Sequence, residues 1–127
     1  MDDQVEAANP RSIDDAISWQ LLRLGSTAWE QWSWKFQRLA YGFLRDDRWT
    51  GADQALAWFR EQSLLSSGPA PRGALVWYGP ATDPVVRCSL GDGTVIGPGL
   101  PDQVQIAPLD QLDDCLGWSD PAFPFAR

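Results

Sequence analysis

The stretch Gly73 to Ile96, GALVWYGPATDPVVRCSLGDGTVI, decides the fold of this chain. Ala74 to Tyr78 and Val85 to Leu90 are runs rich in β-branched and aromatic residues. Gly91-Asp92-Gly93 between Leu90 and Thr94 supplies the positive-φ residues of a tight hairpin turn, so Thr94 to Ile96 folds back as the next strand. A further strand is expected at Gln103 to Ile106, then a short acidic turn or helix at Leu109 to Leu116 and a Pro-rich aromatic tail. The second half therefore reads as an antiparallel sheet.

Upstream of Gly73 the period is helical. Ile13, Ala16, Ile17, Leu21 and Leu24 recur at helix spacing, Asp14 and Asp15 load the first turn, and Gly25 is a stop, which predicts a helix over 12–24. Ser26 is the expected N-cap of a second helix, with Glu30 near its start and Trp29, Trp32, Phe36, Leu39 and Ala40 as its core stripe before Gly42. Asp46 to Thr50 is turn-like. Ala52, Ala55, Leu56 and Phe59 mark a third helix ending near Gln62, and Ser66 to Arg72 is a linker. Helices first and an antiparallel sheet afterwards give an α+β domain. It is read as a single domain over 12–125 behind a flexible N-terminus, 1–11.

Composition excludes several classes of function. At 127 residues with 44% apolar content, 8 Trp, 5 Phe and 2 Tyr, the chain has material for one well-filled core. Its net charge of −7 repels phosphate backbones, so nucleic acid is not an expected partner. No apolar run approaches the roughly 20 residues that cross a bilayer, and the first residues lack the basic and apolar regions of a leader, so the expected setting is cytoplasmic, with no membrane partner. There is no histidine, which removes the commonest general base, proton shuttle and metal ligand. Cys88 and Cys115 form no C-x-x-C pair and read as free buried thiols, a disulfide being the alternative in an oxidising compartment if the geometry allows it. No metal and no cofactor is expected. Asp110, Asp113 and Asp114 lack the glycine turn and closing Glu of a calcium loop, and read as a solvated face.

Four stretches together resemble NlpC-type cysteine peptidases. Ser33-Trp34-Lys35-Phe36-Gln37-Arg38-Leu39-Ala40-Tyr41-Gly42 is similar to the nucleophile helix of that family, C-x-x-F-V-R-x-x-Y-G. Pro71 to Gly79 resembles its P-x-G-A-L-V-F-W-G strand, and Ser89 to Ile96 its S-L-G-D-G-R-V-I hairpin. Cys115-Leu116-Gly117-Trp118-Ser119 resembles a Y-L-G-W-x ending, and the third helix also fits. The resemblance implies the papain-like fold, N-terminal helices packed on a small antiparallel sheet, with one helix presenting its N-terminal end to a cleft.

The departures fall on the chemistry. The family's nucleophilic Cys aligns with Ser33, its general-base His with Val85, and its orienting polar residue with the neighbourhood of Gly97 and Pro98. A serine needs an adjacent base more than a cysteine does, and valine accepts no proton. Lys35, two residues on, points to another face of the helix; Glu30, three residues back, can reach Ser33. Strand alternation groups Val85, Arg87 and Ser89 on one face, expected to look towards the helix and the cleft, with Cys88 on the other. Arg87 there can pair with Glu30, bind an acidic group on a partner, or lie solvated at a strand edge. Trp34, off the predicted stripe and next to Ser33, either fills the cleft or joins the core.

The resulting expectation is a pseudoenzyme: a catalytically inactive NlpC-like domain that binds a protein partner or forms a homo-oligomer, as a regulatory or assembly module, with Glu30, Ser33, Trp34, Arg87 and Ser89 as candidate binding residues. Peptidoglycan is not expected as a ligand without an export signal. The alternative is an enzyme with recast chemistry, using Ser33, Glu30 and Arg87 on an amide or carboxylate substrate.

Overall fold

A computed structural model of the chain describes residues 9–45, 47–99, 103–111 and 114–127. The described residues form an α+β structure of three α-helices, α1 (Ile13–Leu21), α2 (Ser33–Ala40) and α3 (Ala52–Glu61), and five strands. These are β1 (Leu75–Tyr78), β2 (Val85–Ser89), β3 (Thr94–Gly97), β4 (Gln105–Pro108) and β5 (Cys115–Ser119), with a 3-10 turn at Leu109–Gln111. The sheet is antiparallel throughout, in the order β4-β3-β2-β1-β5.

Helix α1 begins where the sequence says it does, because the Ser12 hydroxyl accepts the Asp15 N–H at 3.1 Å. It ends earlier than expected, with Leu22 as C-cap, and Gly25 at φ +87° turns its own N–H onto the Val104 carbonyl. Leu21 and Leu24 are therefore exposed rather than core. Helix α2 is also shorter at its N-terminal end. Ser26 caps no helix, and residues 26–32 approach α2 as turns, so Trp32 becomes its N-cap and is 52% exposed instead of part of the stripe.

The buried residues of α2 are Ser33, Trp34, Phe36, Gln37, Arg38 and Ala40; Arg38 donates to the Phe43 carbonyl at 2.7 Å, and Gln20 and Gln37, both fully buried, exchange reciprocal amide hydrogen bonds of 3.0 Å. The helices cover one face of the sheet. Leu75 and Trp77 of β1 with Val86 of β2 meet Trp34, Tyr41, Leu56, Phe59 and Phe123 in one cluster; Cys88 and Ile96 meet Ile17, Phe36 and Val104 in the adjoining one. Each fully buried side chain of this size contributes about 1.5–3 kcal/mol.

The opposite face carries Val76, Tyr78 and Val95 under the 66–72 segment, which is more than a linker. Ser66 exchanges two backbone hydrogen bonds with Trp118, and the Ser89 hydroxyl donates to the Ala70 carbonyl. Strand β5 falls where the sequence suggests the end of an acidic turn or helix and the start of the tail. Gly117 at φ +127° and a register shift opposite Trp77/Tyr78 disguise it, and β1 supplies the pairing that local propensity lacks.

Of the expected flexible stretch 1–11, residues 1–8 lie outside the described residues, while Asn9 donates to the Pro121 carbonyl and Arg11 to those of Leu39 and Ala40. Asp46 and Asp113, singled out in the sequence, also lie outside them. No described helix is long and apolar enough to cross a membrane.

Candidate functional site

Both longer loops that enter helices end at the same place. The approach to α2 (residues 30–35), the approach to α3 (50–53), the end of the β1–β2 connection (83–85) and Gly99 line a cleft of about 610 Å³. Neither helix has a side-chain N-cap. Phe36 is the first amide of α2 with an intrahelical acceptor, the Trp32 carbonyl at 2.8 Å, and the Ser33, Trp34 and Lys35 amides donate to no acceptor among the described residues.

Ser33 and Val85 meet here. Ser33 is only 6% exposed, and its hydroxyl oxygen accepts the Val86 N–H at 3.2 Å, tying the start of α2 to the start of β2. No carboxylate or amine bonds to that hydroxyl among the described residues. Glu30 is exposed and does not reach it, and Lys35 leans over the Trp32 ring with its Nζ 5.8 Å from the centroid. Among the described residues the cleft thus holds a hydroxyl without a base bonded to it. Among the described residues its rim carries the exposed carboxylates of Asp53 and Asp83 together with Glu30, against the single cation of Lys35.

Trp34 touches the cleft but belongs to the core. It is 3% exposed, its ring lies 5.9 Å from Trp77 and 5.0 Å from Phe123, and its Nε1 donates to Asp47 at 2.7 Å. The other oxygen of that carboxylate accepts the Trp49 N–H.

The strand phase assumed for Arg87 and Ser89 is overturned. Val86 and Cys88 face the helices; Arg87 and Ser89 lie on the other face, beside Val76, Tyr78 and Val95. Alternation was correct, but with two valines at 85 and 86 it could not set the phase, and the small apolar Cys88 is the residue that fits beneath α1 and α2. Arg87 therefore neither pairs with Glu30 nor lies solvated at an edge. It is 6% exposed, with its guanidinium carbon 4.8 Å above the Tyr78 ring, Nη2 donating to the Gly99 carbonyl at 3.1 Å and Nε without a partner among the described residues. Burial lowers its pKa from the ordinary arginine value.

Ser89 ties the β2–β3 turn to the 66–72 segment by donating to the Ala70 carbonyl and accepting the Gly91 N–H. Gly97 sits across from Arg87, where an added Cβ would stand 3.0 Å from Arg87 Cγ, so position 97 has no room for an orienting side chain; Gly99, not Gly97, reaches the cleft.

Cys88 and Cys115 are both free, but Cys115 is exposed, not buried as expected. No group of three metal-ligating side chains occurs among the described residues.

Sequence reading missed Trp32, Thr50, Asp53 and Asp83 as cleft residues. The signal available was weak: Gly51 before the third helix, and the Asp83-Pro84 pair before β2. Compared with known proteins, the chain matches no family model, no curated protein and no solved structure.

Proposed function

We propose that this chain is a catalytically inactive NlpC-like domain of papain-like architecture that works as a protein-binding module, regulatory or assembling, through the cleft at the N-terminal end of α2. The observation that carries the reading is the Ser33–Val86 hydrogen bond. It sets the position resembling a nucleophile beside the position resembling its base, in a cleft where the first is held as a structural acceptor and the second is an apolar side chain. Hydrolysis requires a group to take the hydroxyl proton, and none bonds to it among the described residues. The recast enzyme needs Ser33, Glu30 and Arg87 together, whereas Arg87 lies on the far face of the sheet.

Two measurements test this. A fluorophosphonate probe and a panel of amide and ester substrates are expected to give no Ser33 labelling and no turnover; serine-dependent turnover abolished by Ser33→Ala would overturn the inactive assignment. Capture from lysate of the native host is expected to retain a protein on wild type that is lost when Thr50→Trp fills the cleft, with circular dichroism confirming that the variant folds. Equal retention by both would remove the cleft as the binding surface.

A further inference from the structure

Three features of the cleft bear on what could occupy it. The first is Trp32. Seven of the eight tryptophans are buried or half-buried, yet this one presents half its surface at the rim. An indole left in water costs hydrophobic free energy and is the residue type that anchors protein interfaces. The second is charge. Glu30, Asp53 and Asp83 approach the cleft from three different segments, and Lys35, the one cation there among the described residues, lies over the Trp32 ring. Carboxylates converging on a concavity attract a cation more strongly than the same charges spread over a convex surface. The third is the floor. Ser33 is buried with its oxygen committed to Val86, and its hydroxyl proton, like the first-turn amides of α2, has no acceptor among the described residues. The Ser33 hydroxyl keeps one donor free at the cleft wall, which an oxygen of a ligand can accept.

We propose that the occupant of the cleft is a basic segment of a partner protein, which places a Lys or Arg side chain between the Trp32 ring and the carboxylates of Glu30, Asp53 and Asp83 and one backbone carbonyl on the Ser33 hydroxyl. This rests on the binding-module reading above and gives it a partner chemistry. A volume of about 610 Å³ admits a few residues of an extended chain rather than a folded domain. A cation against an indole face flanked by carboxylates gains from both the ring quadrupole and Coulomb attraction, and the backbone carbonyl separates a peptide from a bare polyamine.

The test uses the full chain and a fluorescently labelled (Gly-Arg)3 amide followed by anisotropy at low salt. The triple variant Glu30→Gln, Asp53→Asn, Asp83→Asn is compared with Asp15→Asn, Glu61→Gln, Asp120→Asn, which removes the same charge from exposed positions elsewhere. The cleft triple is expected to weaken binding about tenfold or more and the control triple less than about twofold, with Trp32→Ala weakening it about fivefold. Equal losses in both triples would mean a general field effect and overturn the proposal, as would failure of wild type to bind. Spermidine competing as well as the unlabelled peptide would show a site for small polycations and likewise overturn it. If the host partner is still captured by the cleft triple but lost from Thr50→Trp, the cleft reading survives and the basic-segment assignment falls.

Discussion

Cys88 looks like an unremarkable thiol in the sequence and proves to be the residue that sets the phase of β2. Fully buried between Phe36, Ile17 and Ile96, it has its pKa pushed up to about 11 by desolvation. The unfolded chain releases this proton near the ordinary thiol value while the folded chain keeps it. Stability is therefore complete below about pH 9 and falls as pH rises towards the folded value. Tyr78, raised to about 12 by burial, extends the decline above about pH 10. Urea midpoints measured from about pH 8 to 10.5 are expected to fall more steeply for wild type than for Cys88→Ala, although the variant starts lower because of the cavity it leaves. Parallel profiles would show that the thiol does not drive the alkaline loss. Trp32 makes the same point about single residues: expected on the core stripe, it becomes the N-cap of α2 and is half exposed, because α2 starts six residues later than the Ser26 cap implies, while Trp34, for which cleft and core were both open, joins the core.

Among the elements, the edge strand β4 shows how the sheet ends. Val104 directs its N–H to the Ser26 carbonyl and its C=O to the Gly25 N–H, away from β3, while Leu109 donates inward to Gly93. Successive residues of a strand turn these groups to opposite sides, so Ile106 and Pro108 share the outward side with Val104. Val104 is already paired and Pro108 has no N–H, so Ile106 alone in this run offers an outward donor. Pairing with another strand is thereby discouraged, as proline and coverage do at other sheet edges. Pro108→Thr restores a donor next to the exposed Ile106 and is expected to raise the fraction of associated protein in sedimentation velocity several-fold; an unchanged distribution would mean that Pro108 is not the guard. The central strands were legible because each is short, β-branched and bounded by Gly or Pro. Strand β5 was not, since its glycine and polar residues say turn and only the partner strand β1 says otherwise.

For the whole molecule, the order of helices and strands was enough to give the α+β class, because the hydrophobic period changes once, at Gly73. The cleft was half legible. Ser33, Glu30 and Val85 could be named from motif spacing, and the structure brings all three to it. Thr50, Asp53, Asp83 and Gly99 could not, because they come from three separate loops whose convergence depends on how α3 and the β1–β2 connection pack rather than on any local pattern. Arg87 failed for the opposite reason: local alternation was used where only the core could decide the face.

The exposure of Trp32 has an optical consequence. As the most exposed of the eight indoles, it is the one that small collisional quenchers reach most readily, so the change in quenching between wild type and Trp32→Ala reports on the cleft. Beside Glu30, Asp53 and Asp83, caesium is enriched and iodide is repelled, and Trp32 is expected to be quenched more by the cation than by the anion at low ionic strength. Any occupant that covers the ring removes the Trp32 share of quenching by both ions together, which gives the cleft a built-in signal for occupancy without a label.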